Sequence, residues 1–331
     1  MSLNTKLTRY IFLLFALIAL NSCTEVTTET IIEPTASTFH TSLAETGARK
    51  SNSLRVMSFN ILAPCWASSV YYPASTAPLL NRLIRRQTII DLLKNNQSTV
   101  DVFALQEVSQ IEFNYIKEAL SLTHIGFQAN HSPAYWLNWI ISDIPWELNG
   151  NAIFVKKDRF SNLTFEDFPA SGSGNHAALF TGTIKNADGR TVRIASVHLD
   201  SDHAYNRKNE MSAVLAKWLP LNNSTDIIAG DFNTETDATN IQSDLKKAGY
   251  FDLLEILGKA EQTHPWTSKY YGADNWGIID HIVSRGSTPV DGSVMNFNLF
   301  NLYPNDEEMR INRNLQLSGS DHFPVTGTMS Y

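Results

Sequence analysis

Positive charge, cysteine and long apolar runs are all scarce in this sequence. Lysine and arginine total 26 against 33 aspartates and glutamates, a formal net charge of −7. That balance argues against a long, sequence-blind grip on nucleic acid. It leaves room for a small phosphate site in which metal ions supply the positive charge. The apolar run from Tyr10 to Leu20 is too short for a comfortable membrane span. No repeat occurs at solenoid periods, which removes that class of architecture. What remains is the composition of an ordinary globular protein, 43% hydrophobic and 18% charged over 331 residues, enough for a sizeable core.

The N-terminus reads as an address. Lys6 and Arg9 precede the apolar run, the layout of a secretory signal peptide. The run ends in Leu20-Asn21-Ser22-Cys23, which resembles the bacterial lipobox, where the cysteine is lipidated and becomes the mature N-terminus. Residues 1–22 are therefore read as a lipoprotein signal peptide and Cys23 as the lipidation site; the alternative is a plain signal peptide with a chance cysteine. With lipid on Cys23, the other cysteine, Cys65, has no intramolecular disulfide partner, and core packing alone must stabilise the fold. Residues 23–53 are rich in Thr, Ser and Glu without a sustained period. They are read as a disordered tether reaching roughly 30 Å from the membrane of the cell envelope. Residues 54–331 contain no internal boundary and read as one domain.

Within that domain, the short apolar run Asp226-Ile227-Ile228 leads into Ala229-Gly230-Asp231-Phe232-Asn233. A run of this kind, followed by polar residues, is a buried strand opening into a loop. Asp231 and Asn233, two apart, are expected on one side of it. A carboxylate would then sit beside an amide able to donate to an oxyanion, although the same tetrapeptide also occurs in ordinary turns. Other strand ends supply matching groups. Leu54 to Asn60 alternates as a strand and delivers Asn60; Asp101 to Val108 is a second, ending at Gln106-Glu107. Asn151 to Lys156 is a third, and Ala177 to Ile184 with Thr191 to Leu199 form a hairpin whose second arm carries His198. Gly277 to Val283 is an apolar strand with Asp280 inside it. A buried carboxylate is costly unless paired, and His322, after Asp321 in a Gly-flanked loop, is the candidate partner.

Helices are expected over Arg82 to Asn95, around Phe113, Ile116 and Leu120, over Asn206 to Leu219, and near Ile241 to Ala248. Arg85 and Arg86 are read as the solvated side of the first, with a phosphate contact as the alternative. His131 to Asn149 gathers Trp136, Trp139 and Trp146 with Tyr135 and Pro145. It is read as a loop with its own small core, the alternative being a substrate platform or a lip touching the bilayer. The polar stretch Tyr303 to Arg313 is read as a loop.

Taken in order with their neighbours, Asn60, Glu107, His198, Asp231 with Asn233, and Asp280 with Asp321-His322 resemble the endonuclease/exonuclease/phosphatase superfamily of DNase I-like phosphoesterases. The resemblance covers about residues 54–331. It implies an α+β fold of four layers, two packed mixed β-sheets flanked by helices, with the site where strand ends converge. Val56 to Ala63 and Gly150 to Phe154 look most like the deadenylase-like branch.

The chemistry implied is hydrolysis of a phosphoester assisted by Mg²⁺ or Mn²⁺, a hard cation held by few carboxylates. By resemblance, Glu107 with Asn60 holds the metal, and Asp321 helps a second. Asp231 orients or deprotonates the attacking water. Asn233 and His198 donate to phosphoryl oxygens, and His322 is a proton donor or phosphate contact kept in its tautomer by Asp280. The chain departs from many relatives at Gly277-Ile278-Ile279 and at His281, where an aromatic Tyr is frequent, which puts substrate contacts in doubt more than chemistry. The expected substrate is a nucleic acid, a phospholipid or a small phosphate ester, with sphingomyelinase-like and inositol-phosphate phosphatase activities as alternatives to nuclease. A monomer is expected, and the rival from another class is a non-catalytic surface-binding lipoprotein on the same scaffold.

Overall fold

The computed structural model describes residues 52–67, 71–131, 148–170, 174–234, 240–266 and 277–331. The readings of the signal peptide, of Cys23 and of nearly all the tether lie outside the described residues, as do those of Trp136, Trp139 and Trp146. The first strand already begins at Ser53, the last residue assigned to the tether.

Two six-stranded sheets pack face to face. Across the first, the order is β11 (Thr288–Val294), β12 (Val325–Ser330), β1 (Ser53–Asn60), β2 (Val102–Ser109), β4 (Asn149–Lys156) and β3 (His124–Asn130). Across the second it is β5 (Phe160–Pro169), β6 (His176–Ile184), β7 (Thr191–His198), β8 (Ser224–Asp231), β10 (Asp280–Arg285) and β9 (Phe251–Asp252). Helices α1 (Arg82–Asn96) and α2 (Gln110–Ala119) cover the first sheet, and α3 (Ala204–Lys217) and α4 (Asn240–Lys247) the second. The result is the four-layer DNase I-like sandwich. Two single-turn helices, α5 (Leu253–Ile256) and α6 (Leu299–Leu302), and the longer α7 (Glu307–Ser318) complete the described elements, with a 3₁₀ segment at Ala74–Leu80.

Period-two alternation sorts each strand's side chains between the layers. Leu54 and Val56 of β1 join Ile194 of β7 and Ile227 and Ala229 of β8 in the core between the sheets. Met57 and Phe59 point the other way, onto Ile89 and Leu93 of α1 and Ile116 of α2. Ala195, Val197 and Ile228 meet Met211, Val214 and Trp218 under the second pair of helices. The same alternation assigns the strand ends. Asn60 follows Leu54 and Val56, His198 follows Val192 and Ile194, and Asp231 follows Ile227 and Ala229, so all three close the gap between the sheets. Gly230 is required where β7 and β8 approach, since a Cβ there would lie 1.9 Å from the Val197 carbonyl oxygen.

Strand direction gathers these ends at one edge. β1 runs parallel to β2, and β7 parallel to β8. Antiparallel β10 starts where β8 stops, pairing Asp280 with Asp231. Antiparallel β12 places Val325 opposite Ser58, so the preceding Asp321-His322 arrives beside Asn60.

Four expectations need correction. Asp280 is the first residue of β10 rather than internal to a strand from Gly277. The stretch from Glu307 onward is helix α7, with Asp306 accepting from the Met309 N–H at its start and Gly319, at φ 77°, ending it. Arg85 is not solvated; it is buried and donates to the carbonyls of Ile61, Leu62 and Gly319. Asn233 does not share a strand face with Asp231, because β8 ends at Asp231 and Asn233 sits beyond it at φ 51°.

Candidate active site

Asn60, fully buried, is the hub. Its Nδ2 donates to Glu107 Oε1 at 2.9 Å and to Asp231 Oδ2 at 3.1 Å, while its Oδ1 accepts from the Leu62 N–H. It therefore ties a carboxylate of one sheet to a carboxylate of the other. Glu107 reaches it only through a bulge. Phe103 and Leu105 face the helices, and strict alternation would send Glu107 after them. The register shift between Leu105 and Val108, with Glu107 at φ 58°, turns it into the site, a common use of a β-bulge. Its Oε2 accepts from the Ala63 N–H at 2.7 Å.

The second sheet and the loop leading into β12 supply the rest. His198 Nε2 lies 3.6 Å from Asp231 Oδ2 and 4.0 Å from Glu107 Oε1. Asp231 Oδ1 accepts from the Asn233 N–H at 2.8 Å, and Asn233 Nδ2 gives one hydrogen to the Leu199 carbonyl, leaving its second. His322 Nδ1 meets Asp280 Oδ2 at 2.8 Å, and its Nε2 is 3.7 Å from Asp231 Oδ2. Burial alone would lower the pKa of His322, but Asp280, then Asp231 and Asp321, outweigh it and raise the pKa well above the usual value. The imidazolium is thus the state these neighbours hold. Burial raises the pKa of Asp321, against the opposing pull of His322.

Several residues that hold this arrangement stand outside the strand-end set read from the sequence. Tyr72 donates to Asp321 Oδ2 at 2.5 Å. Asn314 of α7 donates to the carbonyls of Ser320 and His322, fixing the loop that carries the histidine. Thr263 Oγ1 accepts from the N–H groups of Ile279 and Asp280. Trp266 stands perpendicular to the His322 ring at 5.7 Å between centroids. Thr263 to Trp266 thus walls the proton-handling side. A hydroxyl, an imidazole and an indole within four residues was the available hint. His281, by contrast, faces away: it is buried on Asp252 at 2.7 Å and against the Phe232 ring.

The donor set fits a divalent cation. Glu107, Asp231, Asp280 and Asp321 are all buried, and their ion-pairing partners among the described residues are His198 and His322 alone. Arg85, the nearest buried guanidinium, spends its hydrogens on carbonyls. Asp280 Oδ1 is buried without a hydrogen-bond partner among the described residues. Such uncompensated, oxygen-rich charge suits a hard metal. Two subsites are available. Asp231, Asp280 and His322 bring one atom each within 4.8 Å of one another, yet a histidine held as imidazolium is a poor ligand. Glu107 with Asn60 is free of that objection, although Asn60 turns its amide nitrogen rather than its oxygen toward the carboxylates.

The comparison that decides affiliation is a match to the family model for the endonuclease/exonuclease/phosphatase family over residues 57–322. The chain belongs to this family. No curated protein matches it significantly. Among solved structures, it is similar to a family member from Bacteroides vulgatus (TM-score 0.60, 16% identity, covering 84% of this chain and 98% of the other). It is also similar to the human nocturnin catalytic domain with bound sulfate (0.59, 20%, 84% and 93%). A third is the mannosyl-6-phosphatase of Bacteroides thetaiotaomicron (0.57, 18%, 84% and 100%). At these identities the likeness speaks for the shared fold; family membership makes this chain a member of a phosphoester hydrolase superfamily.

Proposed function

We propose that the protein hydrolyses phosphoesters with a bound Mg²⁺ or Mn²⁺, and that lipid on Cys23 tethers it to the bacterial cell envelope. The observation that carries the catalytic reading is the His322 ring, set between Asp280 at 2.8 Å and Asp231 at 3.7 Å, with Asn60 joining Asp231 to Glu107. This arrangement supports a reading in which an acid, a base and metal ligands surround one point.

Glu107, with Asn60 and Asp321, would hold the cation, which would supply charge neutralisation at the phosphoryl oxygens and a more acidic water. Asp231, its Oδ1 fixed by the Asn233 N–H, takes the proton of the attacking water through Oδ2. His322 gives a proton to the departing oxygen from Nε2, since Asp280 occupies Nδ1. His198 and the second Nδ2 hydrogen of Asn233 donate to phosphoryl oxygens as negative charge grows there. The substrate is a phosphoester of a nucleic acid, a phospholipid or a small molecule. The sulfate in the nocturnin domain and the sugar phosphate named for the Bacteroides phosphatase keep both anion binding and small esters in play. A screen of nucleic acid, sphingomyelin, phosphoinositides and aryl phosphates, with Mg²⁺ or Mn²⁺ added, should find turnover. Full activity in excess EDTA would overturn the metal-dependent reading.

A further inference from the structure

His131 follows β3 and is locked from two directions. Its backbone N–H donates to the Asn149 carbonyl, extending the β3–β4 ladder. Its Nδ1 accepts the His176 N–H at 2.9 Å. A ring nitrogen that accepts carries no proton, so in the neutral ring the hydrogen is on Nε2. That Nε2 is shut off from solvent and has no hydrogen-bond partner among the described residues. The His131 ring lies 6.1 Å from the His198 ring, centroid to centroid, and His198 borders Asp231 and Glu107. Burial, then the neighbouring His198 and His176, lowers the pKa of His131 to about 3, so the ring stays neutral in the working range.

A buried N–H left unpaired is costly to a fold, and here the cost is met at the flank of the reactive centre by a ring whose other nitrogen is fully engaged. We infer that His131 Nε2–H is a substrate-binding donor, left without a partner among the described residues because it is set to donate to a non-bridging phosphoryl oxygen beside His198. It would bind as a neutral dipole with a fixed tautomer, adding a hydrogen bond without adding a titrating charge. The inference rests on the phosphoester reading of the site.

Two variants separate this role from a structural one. His131→Asn places an amide oxygen near the position of Nδ1, keeping the acceptor for the His176 N–H while deleting the outer donor. His131→Gln reaches further and can return an N–H near the position of Nε2. Inorganic phosphate, with Mg²⁺ present, is titrated calorimetrically into the wild type and both variants, and KM and kcat are measured on a phosphoester the wild type turns over. A hydrogen bond to an anion is worth about ten- to hundredfold in affinity. His131→Asn should weaken phosphate binding and raise KM by about tenfold or more, with kcat changed less than about threefold, and His131→Gln should recover part of both. His131→Asn indistinguishable from wild type in phosphate affinity and KM overturns the inference. So does a raised KM with phosphate affinity intact, which would put the contact on the leaving group. Failure of the wild type itself to bind phosphate or turn over any phosphoester would instead sink the functional reading beneath it.

Discussion

The sharpest test of the site is the His322–Asp280–Asp231 line. His322→Ala deletes the only described imidazole within 4 Å of Asp231 Oδ2 besides His198, and with it the proposed donor to the leaving oxygen. A positioned acid or base is worth roughly 10² to 10⁴ in rate, so kcat should fall at least about a hundredfold. Asp280→Asn is gentler: an amide oxygen can still accept from Nδ1, so tautomer and orientation persist while the charge is lost. Downgrading a charge-assisted hydrogen bond of 2.8 Å costs about 1.5–3 kcal/mol at most, roughly ten- to a hundredfold. Asp231→Asn should cost as much as His322→Ala, and the double variant less than the product of the two, because both act in one transition state. The Asp280 substitution carries a stability signature as well. Asp280 is the main charge that holds the buried His322 ring as imidazolium, at 2.8 Å, and removing one partner of a buried pair destabilises a fold, so Asp280→Asn in metal-free protein should lower Tm. The assay is kcat on any hydrolysed phosphoester for the singles and the double, with calorimetric Tm in EDTA. Near-wild-type turnover by folded His322→Ala would refute the assignment, and so would Asp280→Asn costing more than His322→Ala.

The parts of this site that were legible in the sequence are those that obey the two-residue period. Asn60, His198 and Asp231 stand where alternation along β1, β7 and β8 puts them, and Asp280 demanded a partner simply because a carboxylate had entered an apolar stretch; that partner is His322. What was not legible depends on breaks in periodicity or on contacts distant in the chain. Glu107 was named from its strand end, but the bulge that turns it into the site has no local signature. The same failure hid β5, where a register shift between Ser161 and Thr164, with Asn162 at φ 52°, interrupts the alternation. Helix α7 looked like polar loop because its inner face is Arg310 and Asn314 as well as Ile311 and Leu315. Those polar groups are buried because they donate to carbonyls outside the helix, Pro265 and Tyr303 for Arg310, Ser320 and His322 for Asn314. Arg85 misled in the same way: three carbonyl partners repay its desolvation, and none is within its own helix.

Three further outcomes are expected. Glu107→Gln should lower rate and metal dependence together, read as kcat against Mg²⁺ concentration, whereas an unchanged metal profile would move the cation to the Asp231–Asp280–His322 subsite. Cys23→Ser should release the protein from membranes or leave it unprocessed in fractionation, and wild-type protein found wholly soluble would reject the lipid tether. The third concerns acid stability and His124. This residue is buried beside the Phe103 ring, with Nδ1 2.8 Å from Thr123 Oγ1 and Nε2 3.3 Å from the Val100 carbonyl. Burial, reinforced by Lys156 and opposed by the Val100 carbonyl, lowers its pKa to about 4 from 6.5. A base whose folded pKa is depressed stabilises the fold above its unfolded pKa, and that stability drains as pH falls toward the folded value, because the unfolded chain binds the extra proton. The full effect is about 3 kcal/mol at about 1.4 kcal/mol per pKa unit, and between pH 7.5 and 5 it amounts to about 2 kcal/mol. His131 and His264, each lowered to about 3 chiefly by burial, act in the same direction, so His124→Gln should remove only its own share. Urea unfolding of wild type and variant at the two pH values measures it. The wild type should lose about 2 kcal/mol more than the variant on acidification; equal losses would mean that His124 is already protonated in the fold, or that the opened structure reaches it before global unfolding does.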